Sequence, residues 1–222
     1  MLSCSSVSKT YATERGPVQA VKGIDLDLPG GGFTAIVGPS GSGKSSLLAM
    51  IGGLSRPTAG TVRVEDTDIW GLPDKRLAHF RNSRIGFVFQ FPSLLPSLRV
   101  IDNVALPALL GDGRDSSTVY RRASELLRIL GVSDILDAYP GEISAGEQRR
   151  AAIARALINA PTLLLADEPT SDLDAVTEGE IMEQIRGLTR TGTMTLIMVT
   201  HNLRLAEQAD RIVHIADGRL AA

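Results

Sequence analysis

The chain has one cysteine, Cys4, among its 222 residues. One thiol cannot close a disulfide within the chain, and a cysteine-ligated zinc site is excluded with it. No apolar segment of signal length precedes Cys4, so it reads as a buried or half-buried strand thiol rather than a lipid-attachment site. Aromatic residues make up 4% of the sequence, too few for a base-stacking platform. The net charge is −2 with both signs interspersed, so no field draws nucleic acid or anionic lipid toward the chain. The longest apolar runs, "LLLA" and "VALPALL", fall well short of the roughly 18 residues a membrane span needs. The expectation is a soluble, cytoplasmic chain whose work at a membrane, if it has any, depends on another subunit that supplies the spans.

What the sequence does have is enough apolar content, 43%, to build a substantial core within one large domain or one domain with an insertion. Short β-branched runs alternate with helical stretches, the pattern of an α/β protein. "VQAVKGIDLDL" (18–28) alternates apolar and polar residues, which predicts a half-exposed antiparallel strand. "PGGG" (29–32) marks a turn into the buried strand "FTAIVG", and a helix should start near Gly43 and run through "KSSLLAMIGGL". "GTVRVEDTDI" (60–69) reads as an edge strand and "RIGFVFQ" (84–90) as a buried one. Residues 91–140 read as a mostly helical insertion. The parallel core resumes with "TLLLAD" (162–167), "TMTLIMVT" (193–200) and "DRIVHIAD" (210–217).

"GPSGSGKSS", Gly38 to Ser46, fits G-x-x-x-x-G-K-[ST] between a predicted strand and a predicted helix, the context that pattern requires. Gly38, Gly41 and Gly43 let the loop that also holds Pro39, Ser40 and Ser42 turn its backbone N–H groups, which Pro39 lacks, inward to cradle phosphate oxygens. The helix N-terminus adds partial positive charge. Lys44 can then reach the β- and γ-phosphates, the Ser45 hydroxyl can ligate Mg²⁺, and Ser46 can reach the α-phosphate. "LLLADEPT" (163–170) is an apolar run ending in two acids, as a buried parallel strand reads, and ligands gather at the carboxyl ends of such strands. Asp167 is placed to hold Mg²⁺ and Glu168 to orient or deprotonate an attacking water. Gln90 ends a strand where its amide could reach Mg²⁺ or that water, and His201 follows a strand where it could donate to the γ-phosphate. Tyr11 reads equally as a ring stacked on adenine and as a half-buried strand tyrosine. Arg121, Arg122 and Arg128 read as a solvated helix face.

Taken in order, these motifs resemble those of the nucleotide-binding subunit of an ABC transporter along the whole chain. Tyr11 matches that family's adenine-stacking aromatic, 38–46 its phosphate loop and Gln90 its glutamine loop. "ISAGEQ" (143–148) matches its signature, Asp167 and Glu168 its magnesium acid and catalytic glutamate, "SDLD" (171–174) its D-loop, and His201 its switch histidine. The resemblance implies an α/β P-loop NTPase with a mostly parallel sheet core, an antiparallel N-terminal β-subdomain and a helical subdomain insertion. It further implies a single ATPase domain, with a RecA-like core over about 1–90 and 160–222 and the helical subdomain over about 91–159. ATP and Mg²⁺ are the implied cofactors. The implied assembly is a head-to-tail homodimer or pseudo-dimer in which Ser144, Gly146 and Glu147 act in trans on the partner's nucleotide. Ala145 stands where a glycine is usual, Glu147 where glutamine is, Ile143 where leucine is, and Ser171 and Asp172 where small residues and asparagine are more usual.

"SRIGFVFQFPSLLPSLRVIDNVALP" (83–107) also resembles the branch that holds the ATPases of macrolide exporters, lipoprotein-releasing complexes and a cell-division pair. It implies an integral membrane permease partner and a peripheral position on the inner face of the plasma membrane. The leading expectation is an ATPase that powers transport or extrusion. A cell-division ATPase that activates a periplasmic partner is the second, and a neighbouring membrane-partner sequence would separate them. A soluble ABC ATPase acting on nucleic acid is third, but only roughly 100 residues, without cysteine, separate Gly43 from Ser144, and such proteins carry long coiled-coil or zinc-bearing insertions there. A P-loop kinase would leave "ISAGEQ", "SDLD" and His201 unexplained.

Overall fold

Alternation of apolar side chains lays down an antiparallel sheet at the N-terminal end of the chain. In the computed structural model, which describes residues 1–111, 113–171, 173–189, 192 and 194–221, β1 (Leu2–Tyr11) pairs antiparallel with β2 (Val18–Leu28). The alternation in β2 turns Val21, Ile24, Leu26 and Leu28 inward, with Gly23 at positive φ resetting the register between Val21 and Ile24. β3 (Gly32–Val37) is buried almost throughout and leads through the phosphate loop into α1 (Lys44–Ile51). Beyond its polar first turn, Lys44 to Ser46, α1 is apolar from Leu47 to Ile51, as a helix enclosed by its neighbours should be, and it packs against β2, β4 (Ala59–Val64) and β8 (Thr195–Thr200). Gly52 and Gly53 end it three residues before the predicted stop at Leu54, because Gly53 takes φ +69°.

The predicted single strand at 60–69 is a hairpin instead. Glu65 and Asp66 turn the chain at φ +50° and +65°, β5 (Thr67–Asp68) pairs back on β4, and Ile69–Gly71 form a 3-10 turn capped by Asp68. α2 (Asp74–Arg84) follows with Leu77 as its one buried residue. β6 (Ile85–Val88) is the buried part of "RIGFVFQ", since Phe89 and Gln90 are exposed. The 91–140 segment holds α3 (Val100–Leu109) and α4 (Ser116–Ile129), while 91–99 is loop. α5 (Ala145–Leu157), β7 (Leu163–Asp167) and α6 (Ala175–Thr189) come next. Beyond β8 lie α7 (Leu203–Ala206), β9 (Arg211–Ala216) and β10 (Arg219–Leu220).

The chain divides into two compact units, residues 1–81 with 195–222 and residues 82–194. In the first, the antiparallel sheet runs β2-β1-β4-β5, and a second set runs β10-β9-β3-β8. Within that set β3 pairs parallel with both β8 and β9. The second unit pairs β6 parallel with β7 and packs α3, α4 and α5 on one another, with α5 against β6. It contains all the helices of the expected 91–159 subdomain together with β6 and β7. Arg122 departs from the solvated face expected of it: its guanidinium donates to the Ile158 and Leu157 carbonyls at the C-terminal end of α5.

Candidate nucleotide site

In the first unit, strand register fixes what surrounds the phosphate loop. Val37 pairs with Thr200 in parallel, so Gly38 and His201 are the next residues out from two adjacent carboxyl ends. The loop itself is crowded against its surroundings. A Cβ at Gly38 would lie 2.0 Å from the Ile215 carbonyl oxygen, and one at Gly43, where φ is +100°, 2.2 Å from that of Ala20. Only glycine fits either position. Gly218 N donates to Ser42 O at 3.0 Å, tying the loop to the β9–β10 turn.

Lys44 is 7% exposed, and its Nζ donates to the Gly38 and Pro39 carbonyls at 2.8 and 2.9 Å. The cation is thus folded back over the concavity of its own loop. Ser42 Oγ is buried with no hydrogen-bond partner among the described residues. A buried hydroxyl without an acceptor carries a cost that an incoming phosphate oxygen would relieve. Tyr11 is brought to the same place, its hydroxyl donating to Ser46 Oγ at 3.3 Å and its ring lying 5.0 Å from Lys9 Nζ.

In the second unit, β6 and β7 pair Val88 with Ala166, so Asp167 emerges beside the start of the segment that carries Gln90. Glu168 follows at φ +46°, a left-handed conformation that costs a non-glycine residue of order 1–3 kcal/mol and collects at functional sites. Ser171 N donates back to Glu168 O at 3.1 Å, closing the turn that presents this side chain. Asp174 caps the start of α6, accepting from the N–H groups of Val176 and Thr177 and from the Thr177 hydroxyl, which holds its carboxyl below the usual range. Asp172, the second residue of the expected D-loop, lies outside the described residues.

The signature residues of the same unit form the N-terminus of α5. Ser144 is its N-cap and Glu147 completes a capping box. Glu147 Oε2 accepts from both the backbone N–H and the hydroxyl of Ser144 at 2.7 Å, and Ser144 Oγ accepts from Glu147 N at 3.3 Å. The glutamate at this position therefore supplies the capping carboxylate. Gln148 Nε2 anchors the preceding turn through the Pro140 and Ile143 carbonyls. Ala145 is exposed, and a Cβ at Gly146 would meet Thr177 Cγ2 at 3.2 Å.

Hydrogen bonds from Ser144 hold the Glu147 carboxyl below its ordinary value of 4.5. A lowered folded-state value means that the stabilisation is present at neutral pH and is lost as pH falls through the lowered value. Glu147→Ala should therefore cost about 1 kcal/mol at pH 7, as capping changes do. The deficit should narrow in acid, and urea midpoints of both proteins from pH 7 to pH 3 would check this. A pH-independent deficit would refute the role of the charge.

Sequence reading missed two residues in the second unit. Arg149, inside "GEISAGEQRR", and Arg155 both turn into the protein and donate to the 89–93 segment. The signal available was an arginine at positions on α5 otherwise taken by alanine and isoleucine.

A strand–glycine loop–helix unit with its lysine buried over the loop defines a P-loop nucleoside triphosphatase. Residues 21–171 match the family model described as ABC transporter, and the chain belongs to that family and is an ABC ATPase. The matched span takes in the phosphate loop, Gln90, the signature, Asp167 and Glu168, while Tyr11 and His201 lie outside it. The lipoprotein-releasing system ATP-binding protein LolD of Cytophaga hutchinsonii is 43% identical over 98% of this chain and 97% of its own. The macrolide export ATP-binding/permease protein MacB of Rhodopirellula baltica is 42% identical over the whole of this chain and 32% of its own. Among solved structures, a dimeric ATP-binding cassette in a post-hydrolysis state with ADP and Pi is 36% identical, with a TM-score of 0.93 over 100% of this chain and 97% of that one. The fold is accordingly the α/β P-loop fold with an antiparallel N-terminal sheet and a helical subdomain.

Proposed function

We propose that this chain is the ATP-hydrolysing subunit of a membrane complex of the lipoprotein-releasing or macrolide-exporting kind. The observation that carries this reading is similarity over nearly full length to an ATP-binding subunit named for lipoprotein release. The match of the same residues to the ATP-binding/permease protein MacB, of which they cover 32%, supports an integral membrane permease as the partner. No helix among the described residues is long and apolar enough to cross a membrane. The chain then works at the cytoplasmic face, held there by that permease.

In this reading the N–H groups of 38–46 and Lys44 hold the phosphates, and Tyr11 stacks on adenine. Ser45, Asp167 and Gln90 are hard oxygen donors of the kind Mg²⁺ takes alongside phosphate oxygens. The ion, when bound, neutralises charge developing on the transferred phosphoryl group. Glu168 accepts the proton of the attacking water, and His201 donates to the γ-phosphate. Ser144, Gly146 and Glu147 address the nucleotide of a second copy in a head-to-tail dimer, a reading supported by the dimeric form of the solved relative. Hydrolysis removes the bridging phosphate and lets the dimer open.

Two measurements test the proposal. The Glu168→Gln chain should double its mass from 23.6 kDa in ATP and Mg²⁺ on size exclusion with light scattering, and return to monomer without nucleotide. A monomer at every ATP concentration would sink the dimer. In cells, the same substitution should block lipoprotein release or macrolide export, and intact performance of both would reject this branch.

A further inference from the structure

Five consecutive backbone carbonyls, from Phe89 to Ser93, each accept a hydrogen bond from a side chain. Arg149 donates from Nη1 to Phe89 O at 2.7 Å and from Nη2 to Gln90 O at 2.6 Å. Ser93 Oγ donates to Phe91 O at 3.1 Å. Arg155 donates from Nη2 to Pro92 O and from Nη1 to Ser93 O, both at 2.8 Å. Four of these five bonds come from one helix, α5, through two arginines six residues apart.

A connection leaving a strand ordinarily turns its carbonyls to water and moves freely. Here the segment is tied to a helix that already lies hard against the strand: a Cβ at Gly86 of β6 would come 2.5 Å from the Ala156 carbonyl oxygen of α5. Arg149 is 4% exposed. Its planar fork spans two neighbouring carbonyls at once, which the single ammonium of lysine does not do. The segment is further constrained by Ser93, at φ +49°. Gln90 is exposed, so its side chain gets little guidance from packing. Its direction is set by the backbone that carries it, and that backbone is gripped on both sides of the Gln90 peptide by Arg149.

We propose that Arg149 is a positioning residue for ATP hydrolysis: it aims Gln90 through that residue's own carbonyl, while Arg155 fixes the downstream end of the segment. The proposal rests on the reading that Gln90 serves Mg²⁺ or the attacking water. Arg149 touches neither nucleotide nor metal in this scheme, and its effect passes through Gln90 alone.

The test is a double-mutant cycle on the purified chain, with kcat and KM for ATP measured at saturating Mg²⁺ and rates scaled to the folded fraction. Arg149→Gln should lower kcat about tenfold, the scale seen when groups that orient a site are removed, with KM for ATP within about twofold because the phosphate loop is untouched. Arg149→Lys should recover part of the rate by keeping one carbonyl contact. Arg149→Gln combined with Gln90→Ala should be no slower than Gln90→Ala alone. If Gln90→Ala is slow and the two losses multiply, Arg149 does not act through Gln90 and the proposal falls, while the role of Gln90 stands. A Gln90→Ala chain at full rate would overturn the assignment of Gln90 and this proposal with it. Should Arg149→Gln fail to fold, Arg149→Lys enters the same cycle under the same criteria.

Discussion

Replacing Glu168 by glutamine should slow ATP turnover roughly a hundredfold or more, the usual contribution of a positioned base, while nucleotide binding survives. The amide keeps the size and the hydrogen-bonding reach of the carboxylate but cannot hold the proton of an attacking water. The backbone supports a specific role for this side chain, because Glu168 is held at φ +46° directly beyond the last residue of β7. Natural chains keep such strained residues where the surrounding structure enforces them. Binding should persist because the phosphate cradle of 38–46 is built separately, around Lys44 and its two carbonyl contacts. Single-turnover release of phosphate, set beside equilibrium nucleotide binding, separates the two quantities. A Glu168→Gln chain that turns over within threefold of the unaltered one would remove Glu168 from the catalytic step.

The largest effect on stability should come from a residue with no part in the chemistry. Asn103 is fully buried on α3, and its side chain gathers the loop before that helix. Oδ1 accepts from Leu95 N at 2.7 Å, and Nδ2 donates to the carbonyls of Leu95, Leu98 and Arg99 at 3.0 to 3.1 Å. The Leu95 and Arg99 carbonyls have second donors in Leu98 N and Asn103 N. Asn103→Leu would chiefly strand the Leu95 amide and the Leu98 carbonyl. Leu95 is an exposed residue and Leu98 half-buried, so water meets part of the demand, and at about 1–3 kcal/mol for a buried group left without a partner the loss is roughly 1–2 kcal/mol. For a chain of this length that lowers the melting temperature by roughly 2 to 8 °C. Calorimetry would check it, and a drop below roughly 2 °C would show that water meets the whole demand.

The same segment shows where sequence reading stops. The phosphate loop was legible because its chemistry is contiguous: glycines, lysine and hydroxyls do their work within nine residues between two periodic elements. β2 was legible to its ends because one face is buried and the other is wet. α2 gave no signal, since "DKRLAHFRNSR" is polar on every side and buries Leu77 alone. Residues 91–99 looked helical beside α3 and α4, but Pro92 and Pro96 interrupt them, and their shape comes from Arg149, Arg155 and Asn103 elsewhere in the chain. Side-chain bonds to distant backbone leave no periodic trace in sequence. The signature reads as an ordinary helix start for a related reason: Ser144 and Glu147 satisfy each other, so nothing local betrays a second use.

Cys4 makes the N-terminal sheet observable in solution. Its thiol is 2% exposed, and burial, reinforced by Asp27 and Asp25, pushes its pKa to about 12. Almost no thiolate exists at neutral pH, and no reagent reaches the sulfur while β1 stays paired with Leu26 on one side and Val62 on the other. A thiol probe can then react only in moments when those strands part. Because the chain has no second cysteine, the labelling rate needs no correction, and it reports how often this sheet of the ATPase opens with and without nucleotide.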